Sequence, residues 1–184
     1  YSWNYGDASA AATGSPVTKS YAVAGLYKVI LTATTNKNCI DTASQFVRIF
    51  PQATRSFTVN NIKQCYKNNS FITTNASTIV SPGNMLKWSW DWGDAKIDTA
   101  KSPSHSYSAE GIYKVLLTIT SANGCRDTIS KYFTVLNKIN IGFSINSPNQ
   151  CFKNNSFTYT STTTISAGTF TYAWSYGDAT AGVG

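Results

Sequence analysis

The sequence predicts an all-β protein built as an array of tandem β-sandwiches. Three observations lead there. First, one motif occurs three times: Trp3-Asn4-Tyr5-Gly6-Asp7-Ala8, Trp90-Asp91-Trp92-Gly93-Asp94-Ala95 and Trp174-Ser175-Tyr176-Gly177-Asp178-Ala179. Its glycines are 87 and 84 residues apart, and three other landmarks recur at an offset of 86: residues 25–31 at 111–117, 39–42 at 125–128, and 64–71 at 150–157. Self-similarity at a long fixed period marks an array of equivalent units. Second, Thr, Ser, Asn, Val, Ile and aromatics dominate, and no long stretch repeats apolar residues every three to four positions. Such residues suit strands and turns. Third, Tyr113, Val115, Leu117 and Ile119 alternate with Lys114, Leu116, Thr118 and Thr120, as Tyr27, Val29, Leu31 and Ala33 do one unit earlier. A period of two is the pattern of a half-buried strand.

A unit of about 86 residues is the size of a small domain with its own core. The 184 residues hold roughly two units, out of phase with the chain. Residues 1–52 read as the C-terminal part of one unit, 53–137 as a complete unit and 138–184 as the N-terminal part of the next. The sequence therefore reads as a stretch of a longer repetitive protein.

Taken in order, Tyr1, Trp3 and Tyr5 share one strand face, as do Trp88, Trp90 and Trp92, then Tyr172, Trp174 and Tyr176. A Trp flanked by aromatics on one face is a core plank, each ring burying ~150–250 Å². The alternative is a surface strip that stacks on sugars, mainly through the outer ladder members. Gly6-Asp7, Gly93-Asp94 and Gly177-Asp178 supply a turn, because Gly permits positive φ and Asp accepts backbone N–H bonds. Polar connectors follow at 9–19 and 96–103, then a second turn at 21–25 and 107–111. Residues 36–38 and 122–124 are hairpin turns, the second carrying an Asn-Gly signal. The returning strands are 40–50 and 126–136. Pro51 and the spacer 137–140 mark unit boundaries. Both connectors are short and not Gly/Ser-rich, which predicts a semi-rigid rod. New units open at 56–59 and 142–145 and continue into strands near 71–74 and 157–160.

Charged residues are 12% of the chain and the formal net charge is +7. Lys and Arg are scattered singly with no run of three, a pattern of general solubility and not of nucleic-acid binding. No stretch approaches the ~20 apolar residues of a membrane helix.

The turn motif, Pro103-Ser104-His105-Ser106-Tyr107 and Gly111-Ile112-Tyr113-Lys114-Val115-Leu116-Leu117 together resemble the PKD (polycystic kidney disease) domain. That family carries a Trp-x-Phe-Gly-Asp-Gly turn, a His-x-Tyr step and a Gly-x-Tyr-x-Val strand. The resemblance implies immunoglobulin-like sandwiches of two antiparallel sheets. One departure is consistent: Ala8, Ala95 and Ala179 replace the family's last turn Gly, which suggests a less demanding backbone there. The Asn-rich repeats with regular Cys also resemble tandem PKD arrays in giant Bacteroidetes surface proteins, including gliding-motility adhesins exported by the type IX system.

Cys39, Cys65, Cys125 and Cys151 come two per period and read as disulfide candidates in an oxidising, extracellular setting. Zinc is disfavoured, since there is no C-x-x-C pair and His105 is the only His. In an immunoglobulin-like layout Cys65 and Cys125 lie in loops at opposite ends, so a bond within the unit needs a departure from that layout. A staple between neighbouring units is the alternative, and either would contribute on the order of 2–4 kcal/mol.

No catalytic set or cofactor site stands out. His105 fills the family's structural His-x-Tyr position, and Asp7, Asp94 and Asp178 recur in phase as turn residues should. Calcium at a unit junction is a second metal alternative beside zinc. Asn68, Asn75 and Asn154 sit in Asn-x-Ser sequons, and Thr42, Thr99 and Thr128 follow Asp in triplets that resemble a Bacteroidetes O-glycosylation signal. The preferred expectation is a non-enzymatic, cell-surface structural or adhesive protein. Its partners would be neighbouring repeats, other copies in a filament and surface polysaccharide. The alternative is a carbohydrate-binding accessory module of a secreted hydrolase.

Overall fold

The computed structural model describes residues 1–80 and 86–183, and among them there is no helix. Residues 1–49 form one antiparallel sheet. Its strands are β1 (Ser2–Asn4), β2 (Ala12–Thr13), β3 (Gly25–Thr34) and β4 (Ile40–Ile49), in the order β2-β1-β3-β4.

The central segment holds β5 (Phe57–Val59), β6 (Lys63–Gln64), β7 (Phe71–Asn75), β8 (Leu86–Asp91), β9 (Ile97–Asp98), β10 (Ser104–His105), β11 (Gly111–Ser121) and β12 (Arg126–Val135). They form two sheets, β10-β7-β5 and β6-β12-β11-β8-β9. The last segment carries β13 (Ile139–Asn140), β14 (Phe143–Ile145), β15 (Tyr159–Ser161), β16 (Thr164–Ile165), β17 (Ala173–Ser175) and β18 (Ala181–Val183). These pair as β13-β16, β14-β15 and β17-β18.

The core lies between the two central sheets. Alternation in β11 turns Val115, Leu117 and Ile119 inward, all fully buried, and β12 adds Phe133 and Val135. From the opposite sheet Phe57 meets Trp90 edge-on at 5.0 Å, and Phe71 stacks on Phe133 at 4.9 Å. Each such side chain contributes roughly 1.5–3 kcal/mol by leaving water. All members of this cluster lie between residues 57 and 135, so the central segment carries a complete core of its own.

The flanking segments repeat parts of that pattern. Trp3 pairs with Leu31 as Trp90 pairs with Leu117. Phe143 meets Trp174 edge-on at 5.5 Å, the counterpart of Phe57 on Trp90. Among the described residues, however, no second sheet covers the β1-β3-β4 face. Val47 is therefore 37% exposed where its counterpart Phe133 is 0%.

Both hairpins close as three-residue loops and not as two-residue Asn-Gly turns. Ser121 N–H donates to Cys125 O (2.9 Å) and Thr35 N–H to Cys39 O (2.9 Å), with Gly124 at φ +79 and Asn38 at +62. The positive φ falls on the loop's third residue, as this loop class requires.

Candidate functional site

The recurring turn is where the sequence placed most of its chemistry. β8 ends in Asp91, whose Oδ1 accepts the Gly93 N–H at 2.9 Å. Asp94 Oδ1 accepts the Lys96 N–H at 3.2 Å, and its Oδ2 lies 2.9 Å from His105 Nε2. The imidazole stacks on Trp92 (centroids 4.7 Å) and meets the Tyr107 ring edge-on. Tyr107 O–H donates to Trp92 O at 2.7 Å, and burial, reinforced by the Asp94 charge, pushes the phenol pKa well up. Behind it sits Asn69, which the sequence did not single out. Its Oδ1 accepts the Tyr107 N–H, and its Nδ2 donates to the carbonyls of Tyr107 and Tyr66. Trp90 is fully buried and its Nε1 donates to Ala100 O at 3.0 Å.

The other two turns keep the geometry with different side chains. In the first, Asp7 Oδ2 pairs with Lys19 Nζ at 2.7 Å, and Tyr21 O–H donates to Tyr5 O. Lys19 stands at the repeat position of His105. The Lys19 ammonium, followed by the Ser9 hydroxyl, holds the Asp7 carboxyl down at about 2. In the third, the Thr180 hydroxyl and amide hold Asp178 below the ordinary carboxylate range. Trp3 and Trp174 are half-buried on β1 and β17. A side-chain nitrogen thus contacts the turn Asp at the same repeat position in both units, from Lys19 in one and from His105 in the other. Among the described residues the hydrogen-bonding partner of the His105 ring is Asp94, which ties the turn to β10.

The backbone of this turn corrects one expectation. Ala8, Ala95 and Ala179 adopt φ of +59, +66 and +68. The site demands a left-handed residue, which costs an L-amino acid roughly 1–2 kcal/mol. Gly93, at φ +77, has a different constraint: a Cβ there would lie 2.9 Å from Lys114 O.

The cysteines divide between the two ends of a unit. Cys125 closes the hairpin at the start of β12, at what we term the leading end. Cys65 follows β6, which runs parallel to β12 with Gln64 opposite Val135, so it lies at the trailing end. The nine steps of β12 separate them by about 30 Å at ~3.3 Å per residue. A disulfide needs Cα atoms within roughly 7 Å, so a Cys65–Cys125 bond within the unit is excluded. By repeat position Cys39 is a leading-end and Cys151 a trailing-end cysteine. Cys39, Cys65 and Cys151 are exposed and Cys125 is half-buried.

Thr42, Thr99 and Thr128 are all exposed. Of the sequon asparagines, Asn68 and Asn154 are exposed, whereas Asn75 is buried and cannot present its amide to solvent. Of the outer members of the aromatic ladders, Trp88 packs against the core, whereas Tyr1, Tyr172 and Tyr176 are exposed. A different apolar feature repeats on the outer face. Leu26 and Phe46 are exposed on β3 and β4, and Ile112 and Tyr132 are exposed at the same repeat positions on β11 and β12. Large apolar residues in the outward phase of both hairpins were the available signal.

The connectors are held by polar contacts. Gln52 Nε2 donates to Asp127 Oδ2 at 3.1 Å, and Arg55 pairs with the same carboxylate. Burial raises the Asp127 pKa, but the Thr128 amide and Arg55 outweigh it and hold the group below its ordinary value. On the other side Glu110 Oε2 accepts the Lys138 N–H (2.8 Å) and the Ser166 hydroxyl (3.0 Å), and Asn137 Nδ2 donates to Ala167 O (2.5 Å). The Lys138 amide, then Ser166, lowers the Glu110 pKa. Among the described residues no three His, Cys, Asp or Glu side chains converge as a metal site.

The PKD domain family matches residues 1–49 and 58–135. A pre-pro-metalloprotease, PrtV, of Vibrio cholerae is 40% identical over 48 residues, 26% of this chain and 5% of that protein. A microbial collagenase of Vibrio alginolyticus is 34% identical over 58 residues, 31% of this chain and 7% of that protein. The chain thus spans only a small part of the length of these relatives. Among solved structures, the PKD1 domain of Vibrio cholerae PrtV is 28% identical, covering 47% of this chain and 98% of that one, with a TM-score of 0.37. The PKD1 domain of Vibrio anguillarum Epp is 25% identical, covering 47% and 94%, with a TM-score of 0.36. With the family matched across both of these stretches, the repeating turn and the two-sheet core have one reading: the chain belongs to the PKD domain family.

Proposed function

We propose that this chain is part of an extracellular stalk or filament in which consecutive PKD units, 1–52, 53–137 and 138–184, act as stiff spacers. The observation that carries the reading is the anchoring of both connectors. Gln52 is tied to Asp127, and Lys138 and Ser166 are tied to Glu110. A linker bonded to the body of a unit loses the freedom of a flexible coil. Adhesion then resides in weak contacts multiplied along the array. The outward pairs Leu26/Phe46 and Ile112/Tyr132, spaced one period apart, are the surface we assign to it.

Small-angle scattering on the chain tests this. A stiff array gives a maximum dimension that grows in proportion to the number of units. A dimension that grows only as the square root of that number is a string of loose beads and refutes the stalk. The second reading, an accessory module of a larger enzyme, is favoured by the protease and collagenase relatives. Binding of the chain to insoluble polysaccharide or collagen, lost on Tyr132→Ser, would support it over a pure spacer. We further assign Thr42, Thr99 and Thr128 as O-glycan acceptors on their exposure. An intact mass of surface-derived protein equal to the bare polypeptide would remove that assignment.

A further inference from the structure

We propose that each unit's trailing-end cysteine forms a disulfide with the leading-end cysteine of the unit that follows it, so that the array is stapled covalently at every junction. The inference rests on the end-to-end stacking proposed above. For this chain, Cys65 and Cys151 are trailing-end thiols and Cys39 and Cys125 leading-end thiols.

The argument starts from which residues meet at a junction. In the central unit Leu136 N–H donates to Gln64 O at 2.8 Å, which seats Cys65 beside the end of β12. Phe50 holds the position of Leu136 in the preceding unit, so that unit's trailing cysteine stands beside Phe50. Two residues later Gln52 donates to Asp127, and Asp127 is two residues from Cys125. A trailing and a leading cysteine are therefore both a few residues from one contact. The other junction agrees. Tyr66, the neighbour of Cys65, donates through its hydroxyl to Ser108 O and has Lys138 Nζ 5.4 Å above its ring. Glu110, two residues from Ser108, reaches across to Ser166 of the next unit. Cys65 thus lies, exposed, at the end of its unit that meets the next unit's leading end, where by repeat position that unit's hairpin cysteine lies. The same-unit partner is about 30 Å away along β12.

The hairpin also pre-positions its thiol. Cys125 N–H donates to Ser121 Oγ and its carbonyl accepts the Ser121 N–H, so little conformational freedom remains to be lost on bonding. Two thiols give one S–S bond, two protons and two electrons. The electrons pass to a small disulfide oxidant such as oxidised glutathione, which leaves as two thiols.

The test uses two copies of residues 53–138 joined directly, which keeps the 86-residue period and uses the segment shown to hold a complete core. One variant retains only Cys65 of the first copy and Cys125 of the second, with the other cysteines changed to Ser. A control retains Cys65 and Cys125 of the first copy alone. Both are incubated in a glutathione redox buffer and read by thiol titration and intact mass. The expected result is loss of both thiols and of 2 Da (two hydrogens) in the first variant, as a monomer, and two free thiols in the control. A closed control, or a first variant that keeps its thiols, overturns the pairing. Scattering from the tandem after the redox incubation separates the two proposals: an extended particle that keeps its thiols refutes the staple and leaves the stalk, and a collapsed one refutes the stacking itself.

Discussion

Two positions two residues apart in the same turn, Gly93 and Ala95, should respond to opposite substitutions with opposite signs. Both are left-handed, at φ +77 and +66. Gly93→Ala adds the left-handed cost of about 1–2 kcal/mol. It also drives a Cβ to 2.9 Å from Lys114 O and 3.2 Å from Lys114 N. That backbone belongs to β11, where Lys114 is laddered to Tyr132 of β12, so it cannot move away cheaply. Overpacking of this kind costs about 1–3 kcal/mol. The stiffer unfolded chain returns about 0.4–1 kcal/mol, leaving a net destabilisation of about 2–4 kcal/mol. Ala95→Gly removes the left-handed cost and loses only that unfolded-state term, a net stabilisation of about 0.5–1 kcal/mol. The assay is urea unfolding of residues 53–138 followed by Trp fluorescence, with an unchanged m-value as the condition for comparison. Stabilisation of about 1 kcal/mol would raise the melting temperature by ~4–8 °C in a domain of this size. A destabilised Ala95→Gly, or a Gly93→Ala within about 0.5 kcal/mol of the parent, would refute the reasoning.

Further outcomes follow from the same contacts. Asn69→Ala strips three hydrogen bonds from a buried cluster and should cost about 2–4 kcal/mol in the same assay, whereas Asn68→Gly, one residue earlier at an exposed left-handed position (φ +62), should cost little. Phe133→Ala should cost about 3–5 kcal/mol, and Val47→Ala, at the same repeat position but partly exposed, clearly less. The Asp7 carboxyl should titrate by NMR at about 2, moving back toward 3.8 in Lys19→Met. Its folded value is depressed, so its contribution to stability is present above 3.8 and is lost as pH falls through about 2. Glu110 follows the same sign: its hold on Lys138 and Ser166 is full above its ordinary value of 4.5 and weakens on acidification below it. Amide exchange at Lys138 should accordingly accelerate in Glu110→Ala, and an unchanged rate would show that the junction does not depend on this carboxylate.

Much of the central unit was legible in the sequence. The alternation of Val115, Leu117 and Ile119 with polar neighbours identified β11 and its inward face, because side chains on a strand alternate whatever lies beyond it. Trp90 was recognisable as core for the same reason. The left-handed Ala95 was not, since Ala carries no signature of positive φ. Nor was Asn69, which sits in an Asn-Asn-Ser triplet where glycosylation draws the eye to Asn68. The exchange of His105 for Lys19 at one repeat position is visible in the sequence, and both side chains contact the Asp of their turn.

The sequence alone determined the repeat period, the strand phases and the family, because these depend on local side-chain alternation and on motifs that recur within one chain. Tertiary structure decided what depends on residues far apart meeting. The family layout had already put Cys65 and Cys125 at opposite ends, and parallel pairing of β6 with β12 is the long-range contact that does so. The contacts of Gln52 with Asp127 and of Glu110 with Ser166 tie connectors to unit bodies. Close packing of the turn on Lys114 of β11 leaves no room for a Cβ at Gly93, and Ala95 takes a left-handed conformation that its identity does not announce. Register and sheet packing are long-range properties, and a local pattern cannot specify which distant strand will supply the neighbour.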